Sequence, residues 1–522
     1  MPTFFIQQFG CRATQADGAA LERQLLDRGF SAASGPSSAS IVVLNTCTVT
    51  AAADAQARDA IRKIHAQNPA ARLIVTGCYA QRAPEDLAAL PGVSWVVGNS
   101  HKPQIPNLVT ALSSDHPLAV SNNFISTAAL FPSSLEAPFH SFLGTQHAAP
   151  DFGKMSNPDA LSHQAQILTG EIFAHPEFLS APIQGGESHH TRPILKIQDG
   201  CNLRCAYCVI PFVRGKSRSL PPNDVIREIQ KLTSNHSPEH SPAKVEQPIL
   251  AVHSPAHEIV LSGINLGTYG RDLTPRIEFI DLLRRILNES SVERLRVSSI
   301  EPLDVTQDLI DLFAANPRIA EHFHMPLQSG SDRILAAMHR WYRAGHYARR
   351  VELIHDRLPN AAIGADVIAG FPGETESDHA ATLAFIDQRP FTYLHVFSYS
   401  SRPGTKAAAL PNQVPAPIIK RRARELRSLA ESKSSAFRHS QQGRTLRVLT
   451  LHRNAQDERA GRTPALSTNY LPIHIPGILP ANLWQDVVVR SEEGNYLIGE
   501  AASSLCESFV FSESSVLSES SL

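Results

Sequence analysis

Three cysteines stand close together near the middle of the chain, at Cys201, Cys205 and Cys208, in the spacing C-x3-C-x2-C. The 522 residues contain only seven cysteines, so three within eight residues is a marked concentration. Thiolates grouped on one short loop are typical ligands of an iron–sulfur cluster. Three protein ligands leave one iron of a four-iron cluster open, and an open metal position distinguishes catalytic from structural sites. The spacing predicts a catalytic cluster, with a structural zinc knuckle or a chance grouping as alternatives.

Composition places the chain among globular proteins, with 42% hydrophobic and 19% charged residues. The formal net charge of −1 argues against a uniformly basic nucleic-acid-binding protein. We find no apolar run of about 18 residues and therefore predict no membrane span. The N-terminus lacks a signal-peptide pattern, so we expect a cytoplasmic protein whose cysteines stay reduced and available to metal.

Residues 1–112 alternate between strand-like and helix-like patterns, which predicts a doubly wound α/β domain with a parallel sheet. Three more cysteines follow its first three predicted strands, at Cys11, Cys47 and Cys78. Because the carboxyl ends of parallel strands line one crevice, these residues should converge there and hold a second cluster. The alternative for each is a small buried side chain without a ligand role.

Residues 191–410 contain six βα units, which predict a partial barrel that is open on one side. Chemistry in such barrels lies at the carboxyl ends of the strands, and the triple-cysteine loop follows the first strand. We predict that residues near the other strand ends contact a cofactor at this mouth, although a turn or helix-cap role is the alternative for each. These residues are Tyr207, Ser262, Gly263, Ser299, Glu301 and Gly370.

Three segments have weak periodicity. Residues 113–190 are predicted to be an insertion or linker that is partly disordered, and residues 234–256 to be a second insertion within the barrel. The Ser-rich tail, residues 501–522, is predicted to be disordered and contains Cys506, for which we predict no role.

Residues 411–500 begin with a basic helix and continue as short strands with polar turns, which predicts a small β-barrel. Between Lys420 and Arg462 the chain has 12 Lys/Arg and 4 Asp/Glu. This local excess is a candidate phosphate-binding surface, with a solvated helix face as the alternative. The predicted RNA contacts are Lys420, Arg421, Arg422, Arg444 and Arg447.

Several stretches of the sequence resemble sequences of the radical S-adenosylmethionine (SAM) methylthiotransferase family. The triple-cysteine loop resembles the radical SAM signature, and the stretches around Cys11, Cys47 and Cys78 resemble the family's N-terminal domain. The stretches 326–332, 338–342 and 366–374 resemble its barrel, and the C-terminal region is similar to the TRAM RNA-binding module. The resemblance covers nearly the whole chain apart from the insertions and the tail. Thr14 stands where the family usually has asparagine, and we expect it to alter hydrogen bonding around a cluster rather than remove a ligand.

This resemblance implies two four-iron clusters, with SAM bound at the open iron of the barrel cluster and cleaved there to a radical. It implies that the auxiliary cluster carries sulfur, that a methylthio group is transferred to the substrate, and that an electron donor and a sulfur donor are partners. Because an exposed radical would be quenched, we expect the N-terminal domain and the C-terminal barrel to close over the open side of the central barrel.

Stretches such as 45–50 and 397–406 are most similar to the bacterial MtaB-type branch of the family. The similarity implies as substrate the N6-threonylcarbamoyladenosine next to the anticodon of tRNA. The alternatives are isopentenyladenosine in tRNA, an aspartate of a ribosomal protein, and a non-catalytic, metal-stabilised RNA-binding protein.

Overall fold

The computed structural model describes residues 2–113, 165–174, 178–185, 190–234 and 255–502. Most of the predicted linker 113–190 and of the insertion 234–256, and the tail from residue 503 with Cys506, lie outside the described residues. Within the described ranges, no helix combines the length and apolar character that a membrane crossing requires.

The N-terminal domain is a six-stranded parallel sheet in the order β2-β1-β3-β4-β5-β6. Its elements are β1 Thr3–Gln8, α1 Arg12–Asp27, β2 Ser31–Ala32, β3 Ile41–Thr46, α2 Ala51–Gln67, β4 Arg72–Gly77, α3 Cys78–Arg82, α4 Pro84–Ala88, β5 Val93–Gly98, α5 Ile105–Ser113 and β6 Gln166–Leu168. Successive strand residues face opposite sides of a sheet. Val42 packs on one side with Ile61 of α2, and Val43 packs on the other with Leu21 of α1. The predicted doubly wound architecture is confirmed.

Strand β6 comes from the stretch that was predicted to be a linker. It pairs in parallel with β5, where Val96 is opposite Ile167. Three residues are too few to display a period of two, so the sequence gives no strand signal there.

The central domain contains six parallel barrel strands, as predicted: β8, β11, β12, β13, β14 and β15. Single bridges, Leu295 with Ile319 and Ser299 with His324, join its two sheets. The elements are β7 Ile183–Gly185, β8 His190–Lys196, β9 Gln198–Asp199, α6 Ile210–Arg214, β10 Arg218–Ser219, α7 Pro222–Thr233, β11 Glu258–Ser262, α8 Phe279–Glu289, β12 Arg294–Val297, α9 Gln307–Ala315, β13 His322–His324, α10 Asp332–Ala337, α11 Ala344–Arg357, β14 Ala362–Ala369, α12 Glu376–Asp387 and β15 Tyr393–Ser398.

The later barrel strands carry apolar residues on their outer face and polar residues on their inner face. On β13 and β14, Phe323 and Val367 belong to the large apolar core under the helices. The alternate residues His324 and Asp366 face inward and contact each other and His395 of β15. The inner face is therefore polar on these last strands, whereas Ile194 and Val260 make it apolar on β8 and β11.

The C-terminal domain is one long helix followed by a closed five-stranded barrel in the order β16-β17-β18-β20-β19. The elements are α13 Ala416–His439, β16 Thr445–Thr450, α14 Ala455–Arg459, β17 Arg462–Ser467, β18 Pro472–Pro476, β19 Trp484–Glu493 and β20 Tyr496–Ala501. The predicted small β-barrel is confirmed. Short 3₁₀ helices occur at Lys102–Gln104, Ile172–Ala174, Leu266–Thr268 and Lys406–Ala409.

The C-terminal barrel covers the base of the central barrel, which corrects the expectation that it closes the open side. Strand β12 begins with Arg294, and Arg296 is its third residue. The two side chains donate to the carbonyls of Leu466 and Ser467, respectively. The amide of His452 donates to Thr191 near the start of β8. These contacts lie at the amino ends of the strands, where Arg294 and Arg296 also pair with Glu258 of β11 and direct further N–H groups to carbonyls of the C-terminal barrel.

The N-terminal domain spans the open side between the first and last barrel strands. At the first strand, Ala16 of α1 packs against Ile194 and Val260. Beyond the last strand, Arg402 donates to Asp54 of α2 at 2.9 Å and to the carbonyl of Thr48 at 3.2 Å. The N-terminal domain thus fulfils the expected closing role.

We expect Asp54→Ala to lower the free energy of unfolding by about 3–5 kcal/mol, because it leaves the buried cation of Arg402 and the half-buried cation of Arg82 without their carboxylate. Urea denaturation followed by circular dichroism measures the change. Asp59→Ala on the same helix is the control, since its exposed pair with Arg62 should contribute less than about 1 kcal/mol. Equal effects of the two substitutions would contradict the importance of this contact.

Candidate active site

The triple-cysteine loop lies between β9 and α6, directly after the first barrel strands. Backbone hydrogen bonds hold it: the amide of Cys201 donates to Gly215 at 3.1 Å, and the amide of Ala206 donates to Met338 at 2.9 Å. Gly200 enters the loop with φ of +69°, and a Cβ there would lie 2.0 Å from the carbonyl oxygen of Lys216. Only glycine permits this approach.

The three sulfurs share one partly buried environment. Burial raises the pKa of Cys208 to about 12, and repulsion from Cys205 and Cys201 adds to the shift. Burial likewise raises the pKa of Cys201. Arg340 donates to the sulfur of Cys205 at 3.3 Å. Three thiolates in this space require nearby positive charge, so the donor set fits a cationic iron–sulfur core.

Cys11, Cys47 and Cys78 converge at the carboxyl edge of the N-terminal sheet. Cys11 caps α1, Cys47 follows β3, and Cys78 begins α3 directly after β4. A Cβ on Gly10, whose φ is +96°, would lie 2.4 Å from the Cβ of Cys47. Burial raises the pKa of Cys47 to about 12, with further contributions from the charges of Cys78 and Cys11. This second set of donors also fits an iron–sulfur cluster.

Polar side chains approach two of these sulfurs. The hydroxyl oxygen of Thr14 lies 3.5 Å from the sulfur of Cys11, and the side-chain amide of Asn99 donates to Cys78 at 3.5 Å. Thr14 therefore takes part in hydrogen bonding at the site, and its effect relative to asparagine stays a prediction.

The two cysteine sites meet across the interface between the N-terminal and central domains. Cys78 packs against Val209, the residue after Cys208, and against Val213. Asn99 donates to the carbonyl of Val213 at 2.7 Å. The shared surface places both sets of sulfurs around one interdomain space.

Five buried ionisable side chains cross the same interface. Asp17 bonds to Lys102 at 2.9 Å, to Arg214 at 3.0 Å, and to Lys196; Asp199 also bonds to Lys196 at 2.9 Å and to Arg214 at 3.0 Å. Burial acts to raise the pKa of Asp17, but its three cationic neighbours outweigh it and lower the pKa to about 2. When all five groups are ionised, one positive charge remains uncompensated beside Cys11 and Cys78. This excess positive charge suits an anionic iron–sulfur cluster that is bound by three thiolates.

The environment of Cys201 also offers an unpaired polar atom. Asn265 lies after β11 with its amide nitrogen 4.0 Å from the sulfur of Cys201. Its side-chain oxygen is buried and has no hydrogen-bond partner among the described residues. A buried acceptor without a donor is costly, so a bound group with an N–H or O–H fits there. The ammonium of SAM is such a donor.

Comparison with known proteins agrees with this arrangement. Residues 3–98 match an uncharacterised protein family, UPF0004, and residues 195–386 match the radical SAM superfamily. The threonylcarbamoyladenosine tRNA methylthiotransferase MtaB of Aquifex aeolicus is 31% identical over 90% of this chain and 96% of its own length. The chain belongs to the radical SAM methylthiotransferase family. The tRNA-2-methylthio-N(6)-dimethylallyladenosine synthase of Syntrophobacter fumaroxidans is 32% identical over 81% of this chain and 79% of its own length.

Solved structures support the fold of this methylthiotransferase. The radical SAM methyltransferase TsrM from Kitasatospora setae superposes with a TM-score of 0.50 at 15% identity, over 76% of this chain and 73% of its own. At this identity the similarity concerns the fold alone.

The structure links two of the predicted cofactor contacts to the cysteine loop of the methylthiotransferase. Glu301 forms an ion pair with Arg340, the donor to Cys205. Tyr207 is half-buried and meets Phe371 edge to face, with ring centroids 6.5 Å apart. Ser299 lies beyond the end of β12 and bridges to His324.

The remaining predicted contacts lie in tightly packed turns. Ser262 is buried, and its carbonyl accepts from Ile197 at 2.9 Å. A Cβ on Gly263 would lie 2.8 Å from Leu266, and one on Gly370, whose φ is +79°, would lie 2.4 Å from Ile419 of α13. Packing therefore accounts for both glycines.

Sequence reasoning did not single out Arg340, Asn99 or Asn265. The only available signal was position: Arg340 lies in the family-like stretch 338–342, and Asn265 follows a barrel strand. Their contacts depend on side chains that are distant in sequence.

Among the predicted RNA contacts, Arg422 requires correction. It is only 3% exposed, and its guanidinium bonds to Glu374 at 2.8 Å and to Glu376 at 2.7 Å. The basic face of α13 thus turns one arginine inward to hold the turn after β14. Lys420, Arg421, Arg444 and Arg447 are exposed, although Arg421 is shared with Glu376 and Glu425.

We expect Cys47 and Cys208 to react at least tenfold more slowly than exposed Cys11 with iodoacetamide in metal-free protein at pH 8. A pKa of about 12 leaves a thiolate fraction of about 10⁻⁴ at pH 8, which outweighs the greater nucleophilicity of a more basic sulfur. Their rates should rise about tenfold per pH unit below that pKa. Peptide mass spectrometry over time measures all three in one sample, and equal rates would refute the described burial.

Proposed function

We propose that this methylthiotransferase adds a methylthio group to C2 of N6-threonylcarbamoyladenosine beside the anticodon of tRNA. The observation that carries the proposal is the meeting of two three-cysteine sites across one interface, where Cys78 packs on the residue that follows Cys208. Relatives named for methylthiolation of tRNA nucleosides, similar over most of their length, support the choice of substrate class.

In this proposal the cofactors are two four-iron clusters and SAM. Cys201, Cys205 and Cys208 would hold the cluster that binds SAM, and Cys11, Cys47 and Cys78 would hold the auxiliary cluster. When bound, these groups supply the carbon radical and the sulfur that the reaction requires. An electron donor and a sulfur donor complete the proposed partners.

The chain's own residues position these groups and exclude water. Arg340 orients the sulfur of Cys205 and keeps the half-buried carboxylate of Glu301 paired. The N-terminal domain closes the open side through Asp54 and Arg402. At the base, the ring of Tyr470 packs on His322 with centroids 4.4 Å apart. A reactive carbon radical in this space would meet protein groups rather than solvent.

We further propose that exposed Lys420, Arg421, Arg444 and Arg447 contact tRNA phosphates. Such contacts supply affinity without sequence information. A tRNA substrate implies that the protein works in the cytoplasm.

Dimethylallyladenosine in tRNA is the second candidate substrate. The Syntrophobacter fumaroxidans relative named for that nucleoside is 32% identical, against 31% for the Aquifex aeolicus MtaB, so identity does not separate the two. The two nucleosides differ in the polarity of the group on N6, so the polar side chains inside the barrel can distinguish them.

We expect anaerobic reconstitution to load about eight irons, the sum of two four-iron clusters, and the loaded protein to methylthiolate tRNA that carries threonylcarbamoyladenosine. Cys205→Ala should abolish SAM cleavage. Cys47→Ala should retain SAM cleavage, load about four irons and form no methylthio nucleoside. Iron assay, 5′-deoxyadenosine quantification and nucleoside mass spectrometry provide the three measurements.

Cys506→Ala serves as the matched control and should behave as the unaltered protein in all three assays. Full methylthiolation by Cys47→Ala would refute the two-cluster model. Methylthiolation of dimethylallyladenosine but not of threonylcarbamoyladenosine would move the proposal to the second substrate.

A further inference from the structure

Arg12 is a half-buried arginine without a partner at the edge of the barrel interior. It is the first residue of α1 and follows Cys11 directly. Within the part of the chain that the structure describes, its guanidinium makes no hydrogen bond and no ion pair. Most other half-buried or buried arginines at this interface, such as Arg82 and Arg402, are paired with carboxylates. An unpaired guanidinium in this position fits an anionic ligand.

The charge of Arg12 reaches residues of the last barrel strands. Burial, together with the charges of Arg296 and His324 and then of Arg12, lowers the pKa of His322. Burial raises the pKa of Tyr393, while Arg296 and Arg12 act in the opposite direction. Arg12 lies one helical turn before Ala16 and therefore on the same face of α1, and Ala16 packs on Ile194 and Val260 inside the barrel. This position on the helix directs Arg12 to the barrel interior, where His322 and Tyr393 lie on the inner face.

The inner wall near Arg12 is a continuous hydrogen-bonded chain. The hydroxyl of Tyr393 lies 2.7 Å from Nε2 of His322 and 2.9 Å from Nδ1 of His324. One carboxylate oxygen of Asp366 accepts from His324 at 2.9 Å and from His395 at 3.2 Å. We call the residues His322, His324, Asp366, Tyr393 and His395 the polar wall.

Neighbouring residues shape the space around the polar wall. A Cβ on Gly364 of β14 would lie 2.0 Å from the ring of Tyr393, so the missing side chain makes room for that ring. Tyr470 of the C-terminal barrel packs on His322 and, with centroids 5.7 Å apart, on Tyr393. The wall is therefore fixed in place on two sides and does not depend on a bound ligand for its orientation.

Among the described residues, the unpaired guanidinium of Arg12 and the imidazole, hydroxyl and carboxylate groups of the polar wall suit a ligand that offers both an anion and hydrogen-bond donors. The threonylcarbamoyl group has a carboxylate, a hydroxyl and urea N–H groups. A dimethylallyl group has none of these, and burying it here would leave the charge of Arg12 without a partner, which costs binding free energy.

We propose that Arg12 binds the carboxylate of the threonylcarbamoyl group and that the polar wall receives its hydroxyl and urea groups. The inference rests on the proposed function and names the residues that would separate its two candidate substrates.

The test measures binding of fluorescent anticodon stem-loops to reconstituted full-length protein. Three RNAs carry threonylcarbamoyladenosine, dimethylallyladenosine or unmodified adenosine at the same position. We expect Arg12→Met to weaken binding of the threonylcarbamoyl RNA about 10- to 100-fold and to leave the other two within about twofold, since one charge-assisted contact is lost. Arg12→Lys should restore most of the affinity.

Arg23→Met is the matched control on the same helix, because Arg23 is exposed and lies 3.6 Å from Glu228. It should leave all three affinities unchanged. Iron content and the visible spectrum, compared with those of the unaltered protein, report whether a substitution beside Cys11 disturbs the auxiliary cluster.

A second measurement needs no variant. An RNA whose threonylcarbamoyl carboxylate is replaced by a carboxamide should bind the unaltered protein about 10- to 100-fold more weakly than the acid. Equal binding of acid and amide overturns the inference, even if Arg12→Met were to lose iron. Equal weakening of all three RNAs by Arg12→Met also overturns it and assigns Arg12 to the RNA backbone.

These outcomes are distinct from failure of the proposed function. That failure would appear as an unaltered protein that binds the threonylcarbamoyl RNA through its carboxylate but transfers no methylthio group to it.

Discussion

The structure depends on the buried ionic contact between the N-terminal and central domains. Taking five charged side chains out of water is unfavourable unless each finds partners, and removal of any one leaves others buried and unpaired. Asp17 and Asp199 satisfy this constraint only when α1 and the loop after β8 sit in one relative position. The ionic contact therefore fixes the relative orientation of the two cysteine sites. Apolar packing of small residues such as Ala16 would allow a wider range of orientations.

The three domains then enclose one chamber from different directions. The N-terminal domain closes the side, the central barrel supplies the inner wall, and the C-terminal barrel forms the base. Each boundary uses arginines that donate to carboxylates or carbonyls of another domain, as Arg402 and Arg296 do. Fork-shaped guanidinium groups suit this role, because they bond in several directions and stay charged when buried.

Much of the fold could be predicted from the sequence because its signals are local. Cys11, Cys47 and Cys78 follow apolar strand patterns, and a parallel sheet brings strand ends together whatever the intervening lengths. The short strand β6 and the placement of the C-terminal barrel could not be predicted, since neither leaves a periodic pattern. The inward turn of Arg422 and the contact of Arg340 with Cys205 were equally hidden, because both depend on partners that are distant in sequence. In the sequence, the residues of the polar wall appear only as alternate positions of strands. The sequence does not show whether these positions face the barrel interior.

Tyr470 gives the C-terminal barrel a second role. The backbone of Tyr470 has a φ of +64°. Its ring extends from the C-terminal barrel to the inner surface of the central barrel, where it packs on His322. The small barrel is consequently not a detachable appendage that only adds affinity. Any shift of this domain on its support would also move the ring that lies against His322 and Tyr393 inside the central barrel.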